Sequence, residues 1–152
     1  VDHLGRDNDK GFSLTIESAS IDKRAQERDP CGSSGEIAQL ESALGVVMEY
    51  AEDHPETLII VTADHAQAAQ IVPDPTLYKS LPIPVFSPGK VARVVTPEGG
   101  VMRINYATNN IASEEHTGAN VPLFANSEGA EALEPFMRQR EIYHAMMRYL
   151  EL

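Results

Sequence analysis

Residues 58–66 read LIIVTADHA. The apolar run at 58–61 is the mark of a strand covered on both faces, yet it gives way at once to Asp64 and His65. A buried strand that ends on an acid and a histidine is either a solvated strand end or a grip on something charged. The flanking sequence first supplies a frame for that strand. Upstream, Ile37, Leu40, Leu44, Val47, Met48 and Ala51 fall on one helical face. Ser33 and Glu36, three apart, predict a capping-box start for this helix, and Pro55 predicts its stop near His54. Before it, FSLTIE at 12–17 alternates apolar and polar residues and predicts a strand ending near Glu17. Strand, helix and strand in this order predict a βαβ unit with parallel pairing. The expected fold class is therefore α/β, a mostly parallel sheet flanked by helices.

Downstream, residues 73–100 form a proline-rich excursion. VARVVT (91–96) and VMRINYAT (101–108) flank PEGG and predict a hairpin. VPLFAN (121–126) predicts a short strand. A helix is expected from Pro135 onward, with Ile142, Tyr143, Met146, Met147 and Leu150 facing inward.

At 152 residues the chain fits one domain, and no segment approaches the length of a membrane span. Twelve Lys and Arg against 23 Asp and Glu leave a formal charge of −11. Such a balance argues against gripping nucleic acid or an anionic membrane surface. The acids are dispersed, which predicts a solvated surface, and Lys is scarce beside Glu and Asp, a balance suited to high salt. Cys31 is the single cysteine and cannot bridge internally. It reads either as a partly buried thiol or as half of a disulfide whose partner lies elsewhere. The first dozen residues lack a basic start, an apolar signal core and an initiator Met, the expectation for a processed product or an excised piece.

Glu17 and Asp22, in ESASIDK, bracket the end of the first predicted strand, as Asp64 and His65 do the second. Parallel neighbours point their carboxyl ends the same way, and α/β sites form at that edge. Carboxylates crowded there raise each other's pKa unless a cation sits among them. Imidazole with carboxylate suits zinc, and an all-oxygen shell suits magnesium. His116, in the polar stretch SEEHTGAN, is a further candidate.

ESASIDK, VTADHA and EEHTG, in this order and at these separations, resemble the C-terminal third of bacterial alkaline phosphatase. DPCG at 29–32 and the closing helix fit as well, and the similarity runs through most of 10–152, weakest across 73–100. TADH recurs in the wider superfamily of metal-dependent phosphomutases and sulfatases, whereas the E-x-x-x-I-D-K string and the late EHTG narrow the resemblance to the phosphatases. The resemblance implies that Glu17 binds magnesium, that Asp22 and His116 bind a first zinc, and that Asp64 and His65 bind a second. It implies that Lys23 reaches the phosphate, partly through water; His3, His54 and His144 match no family ligand.

Two positions depart from the family pattern. Gln26 stands where a histidine ligand of the first zinc is usual, and an amide oxygen is a weaker donor than imidazole. Gln67 stands where a histidine supporting the ligands is common. The implied activity is hydrolysis of small phosphate monoesters through a phosphoserine, with two zinc ions and one magnesium. No Asp-Ser pair occurs in the 152 residues to supply that serine. The whole of 1–152 is then expected to be the C-terminal portion of a longer phosphatase, inactive without the rest of that chain. The family further implies an exported protein, periplasmic or secreted, and a homodimer. The alternatives are a non-catalytic metal-binding fragment and a sister phosphomutase, and the residue run preceding Val1 discriminates them.

Overall fold

The strand announced by LIIV forms, but its neighbour is not the expected one. A computed structural model of the chain describes residues 2–6, 8, 11–72, 91–106, 111–113 and 115–152. In chain order its elements are α1 (Asp2–Gly5), α2 (Ala19–Gln26), α3 (Pro30–Asp53), β1 (Ile60–Thr62), β2 (Ala66–Gln67), β3 (Gln70–Val72), β4 (Val91–Val95), β5 (Val101–Asn105), β6 (His116–Thr117), β7 (Leu123–Ala125), α4 (Ser127–Ala132) and α5 (Gln139–Tyr149). They divide into two units, the first of residues 1–17, 41–64 and 121–152, the second of 18–40 and 65–120.

In the first unit β1 pairs antiparallel with β7, Val61 opposite Phe124. The predicted parallel partner at 12–17 makes no ladder: residues 11–18 hold neither helix nor strand, and Leu14 and Ile16 are 48% and 51% exposed. An alternating pattern becomes a strand only when a neighbour accepts its backbone hydrogen bonds. With β7 as its one neighbour among the described residues, β1 is half-buried at Ile60 and Val61 and exposed at Thr62, not covered on both faces. Asn126 fixes the start of this pair. Its Oδ1 accepts from Ile59 N at 3.0 Å, and its Nδ2 donates to Thr57 O at 2.6 Å. The same Oδ1 caps α4 by accepting from Gly129 N at 3.2 Å. Gly129 is buried, and a Cβ there would lie 3.0 Å from Leu58 Cδ1 and 3.3 Å from Ile59 O. The missing side chain thus permits α4, which the sequence pattern does not predict, to close on the start of β1. α5 begins at Gln139, later than expected, where Arg138 N donates to Glu141 Oε2 at 2.6 Å. Ala145 is its buried residue, while Tyr143, expected inward, is 58% exposed.

In the second unit β5 lies between β3 and β4, antiparallel to both, with Ile104 and Tyr106 buried. β4 and β5 are the predicted hairpin, turned at 96–100 where Gly99 adopts φ +80°. A second, two-residue ladder joins β2 to β6, again antiparallel. Every pairing among the described residues is antiparallel, so the expected mostly parallel sheet is corrected. The parallel expectation rested on 12–17 being a strand beside β1, and that strand is absent.

The long helix α3 runs to Asp53 as Pro55 predicts, but it starts at Pro30, ahead of the Ser33–Glu36 box. Asp29 Oδ1 accepts from Gly32 N at 2.9 Å, and proline needs no partner at the first helical position. DPCG is therefore itself the helix start. Leu40, Leu44, Val47 and Ala51 are half-buried, but Ile37 and Met48, expected on that face, are 50% and 57% exposed. Cys31 is exposed and free, not partly buried. Residues 73–90, the proline-rich part of the excursion, lie outside the described residues.

Candidate metal centre

The second unit brings α2 against β2 and gathers the chemistry between them. Asp22 and Gln26 are one helical turn apart on α2, so they share a face. Gln26 Nε2 donates to Asp22 Oδ2 at 2.7 Å. His65 immediately precedes β2 and Gln67 is the second residue of β2, and both side chains reach Asp22. Gln67 Nε2 donates to the other carboxylate oxygen, Asp22 Oδ1. The β2–β6 register sets Gln67 opposite His116 and Ala66 opposite Thr117, so a two-residue ladder carries the distant imidazole to the same place.

There the rings of His65 and His116 stack, with centroids 3.5 Å apart and planes inclined by 16°. His65 Nε2 lies 3.7 Å from Asp22 Oδ1, and Gln26 Nε2 lies 3.5 Å from His116 Nε2. One ligand atom each from Asp22, His65 and His116 falls within 4.8 Å of the others. Asp22 and His65 are half-buried and His116 is exposed, so the group opens to solvent on its His116 side.

This donor set fits a dication. Two imidazoles and a carboxylate are a zinc-type set. Asp22 Oδ1 and His65 Nε2 are 3.7 Å apart and the three ligand atoms lie within 4.8 Å of one another, near enough for cations to sit among them. Gln67 Oε1 is buried with no hydrogen-bond partner among the described residues. Its amide nitrogen already serves Asp22.

Of the residues singled out by sequence, Asp22, His65 and His116 come together with Gln26 and Gln67. Lys23 follows Asp22 on α2 and is exposed. Glu17 and Asp64 belong to the first unit, whereas the cluster is drawn from the second alone. Glu17 is exposed in the irregular stretch 11–18, and Asp64 is exposed with its backbone carbonyl accepting from the Gln139 side chain. The roles of the two glutamines as donors to Asp22 went unread in the sequence. The i, i+4 spacing from Asp22 and the i, i+2 spacing from His65 were the available signals.

A family model, alkaline phosphatase, matches residues 1–80. The chain belongs to the alkaline phosphatase family. It is 44% identical over 123 residues to streptomycin-6-phosphate phosphatase of Streptomyces griseus, a match that covers 80% of this chain and 25% of that protein. It is 36% identical over 145 residues to the alkaline phosphatase of Escherichia coli strain K12, covering 95% of this chain and 29% of the relative. With alkaline phosphatase H of Pseudomonas aeruginosa the identity is 34% over 149 residues, 98% of this chain and 29% of the relative. The chain thus spans between a quarter and a third of the length of these relatives. Among the described residues, no helix is long and apolar enough to cross a membrane.

Proposed function

We propose that the chain supplies metal ligands to an alkaline phosphatase that hydrolyses small phosphate monoesters. The observation that carries this reading is the meeting of Asp22, His65 and His116 in a chain of that family. In this reading Asp22 and His116 hold a first zinc, and His65 stands beside them as a ligand of a second. When bound, zinc supplies positive charge that polarises a phosphoryl oxygen and lowers the pKa of an attacking hydroxyl.

The chain's own groups have separable tasks. Gln26 and Gln67 donate one hydrogen bond to each oxygen of Asp22 and so fix its plane. His116, the exposed member, sits on the side from which substrate arrives. Lys23 is exposed on α2 and draws the phosphate dianion toward the centre as a mobile point charge. The family reading adds Asp64 beside His65 at a second zinc and Glu17 at a magnesium. The amide at Gln26 leaves the first zinc more weakly held than an imidazole there would.

The family reaction runs through a phosphoserine, and no Asp-Ser pair among the 152 residues offers that serine. This favours one second reading, in which the isolated chain binds metal and has no turnover. A chromogenic phosphate ester tests both. The intact protein should hydrolyse it in a chelator-sensitive way and lose that activity in Asp22→Ala, while the 152 residues alone should not. Hydrolysis that survives chelation and Asp22→Ala contradicts the reading. Export to the periplasm or medium and homodimerisation belong to the same proposal, checked by cell fractionation and light scattering; a cytoplasmic monomer contradicts them.

A further inference from the structure

Arg28 closes α2 in an unusual way. Asp29 N donates to Arg24 O and Arg28 N to Ala25 O, both at 2.9 Å, the paired bonds of a helix that ends on a left-handed residue. Arg28 takes that position with φ 61°, where glycine is the residue without a steric penalty. Its side chain is what glycine lacks. Nη1 donates to Ile111 O at 3.1 Å and to Ala112 O at 2.8 Å, and Nη2 donates to Ser113 O at 3.1 Å. Three consecutive carbonyls are therefore held by two nitrogens of one planar fork, a spread of donors that a single ammonium nitrogen does not offer.

Each end of this clamp lies a few residues from a member of the centre. Arg28 is six residues beyond Asp22 and two beyond Gln26, and its backbone is part of the turn that ends their helix. Ser113 is three residues before His116, the first residue of β6. β6 is only two residues long and has a two-residue partner, so its ladder alone is a weak hold on the imidazole. All of these residues lie in the second unit.

We propose that Arg28 is a positioning residue of the metal centre, setting the distance between Asp22 on α2 and His116 by gripping the carbonyls of residues 111–113. It touches neither metal nor substrate and acts through the segment that delivers His116. This inference rests on the metal-centre reading above. Removing the fork loosens His116 specifically, so metal affinity falls and the coordination changes while the helix end survives.

Cobalt(II) titration of the intact protein, followed by visible absorption, tests it with Arg28→Gly, Arg28→Lys, His65→Ala and His116→Ala. Glycine suits the left-handed backbone, so Arg28→Gly separates the clamp from the turn. It should bind cobalt about tenfold more weakly, the lower range for groups that orient metal ligands, and its spectrum should move toward that of His116→Ala. Its thermal midpoint should stay near the parent's. Arg28→Lys, with one donor head in place of a fork, should lose about threefold. Parental affinity and spectrum in Arg28→Gly, beside losses in both histidine variants, overturn the Arg28 proposal alone. Parental cobalt binding in both histidine variants overturns the metal centre and this proposal with it. Should Arg28→Gly fail to fold, Arg28→Lys decides: a parental spectrum and affinity overturn the proposal, and the threefold loss supports it.

Discussion

Asp22 and Asp64 belong to different units, and the two units hold them differently. Asp22, in the second unit, is half-buried and takes an amide hydrogen bond on each carboxylate oxygen. Asp64, in the first unit, is exposed, and the Gln139 side chain grips its backbone carbonyl. Side-chain donors aim the carboxylate of Asp22; a backbone contact fixes where the chain passes at Asp64. Orienting a carboxylate and placing a strand are therefore separate problems. Here glutamines solve the first, and an asparagine at the base of β1 solves the second.

The sharpest way to break the contrast is to remove the amides. Gln26→Ala combined with Gln67→Ala should weaken zinc binding by about 100-fold, the upper range for residues that orient metal ligands, with little loss of thermal stability. Isothermal titration with zinc checks it, and unchanged affinity contradicts the orienting role. Asn126→Ala should do the reverse. It removes a helix cap and both side-chain bonds at the start of β1, costing about 2 kcal/mol of stability while the Asp22 cluster keeps its metal affinity. Denaturant unfolding measures that loss, and a weakened zinc titration in this variant erases the distinction.

A smaller effect is expected from Gln26→His. It exchanges an amide for an imidazole beside Asp22 and should tighten zinc binding about tenfold, since imidazole is the better zinc donor. An unchanged dissociation constant in competition with a chelator removes that expectation. The smallest effect lies in the first unit alone. Tyr149 Oη donates to Glu56 O at 2.6 Å. Burial, then the charges of Glu128 and Glu56, push its pKa above the ordinary phenol value. The neutral phenol is the form the fold prefers, so its contribution is complete below about pH 10. It disappears as pH rises through the raised value. Tyr149→Phe should cost about 0.5 kcal/mol at neutral pH and flatten the alkaline decline of the thermal midpoint. A decline identical to the parent's contradicts this assignment.

Local chemistry made much of this legible. Pro55 marked the end of α3, PEGG the hairpin turn, and the strings around Asp22, His65 and His116 the three residues that meet. What stayed hidden depends on neighbours. FSLTIE and VMRIN both carry strand-forming residues, yet only the second has ladder partners. The sense of a strand pair follows from which strands become adjacent, and no property of LIIV distinguishes a parallel neighbour from β7. The Ser33–Glu36 box was outcompeted by Asp29 and Pro30, a start signal that lies earlier in the chain. Gln26 read as a weakened ligand and Gln67 as a lost support for the ligands because a sequence gives spacing, and spacing does not say which end of an amide faces a carboxylate.

Asp22, His65 and His116 together build one metal-binding centre. Elemental analysis of the purified protein, dialysed against trace zinc, tests it most directly when His65→Ala is measured beside the parent. The parent should retain bound zinc and the variant should lose it. Equal zinc content in the two would mean that the stacked imidazoles are only packing.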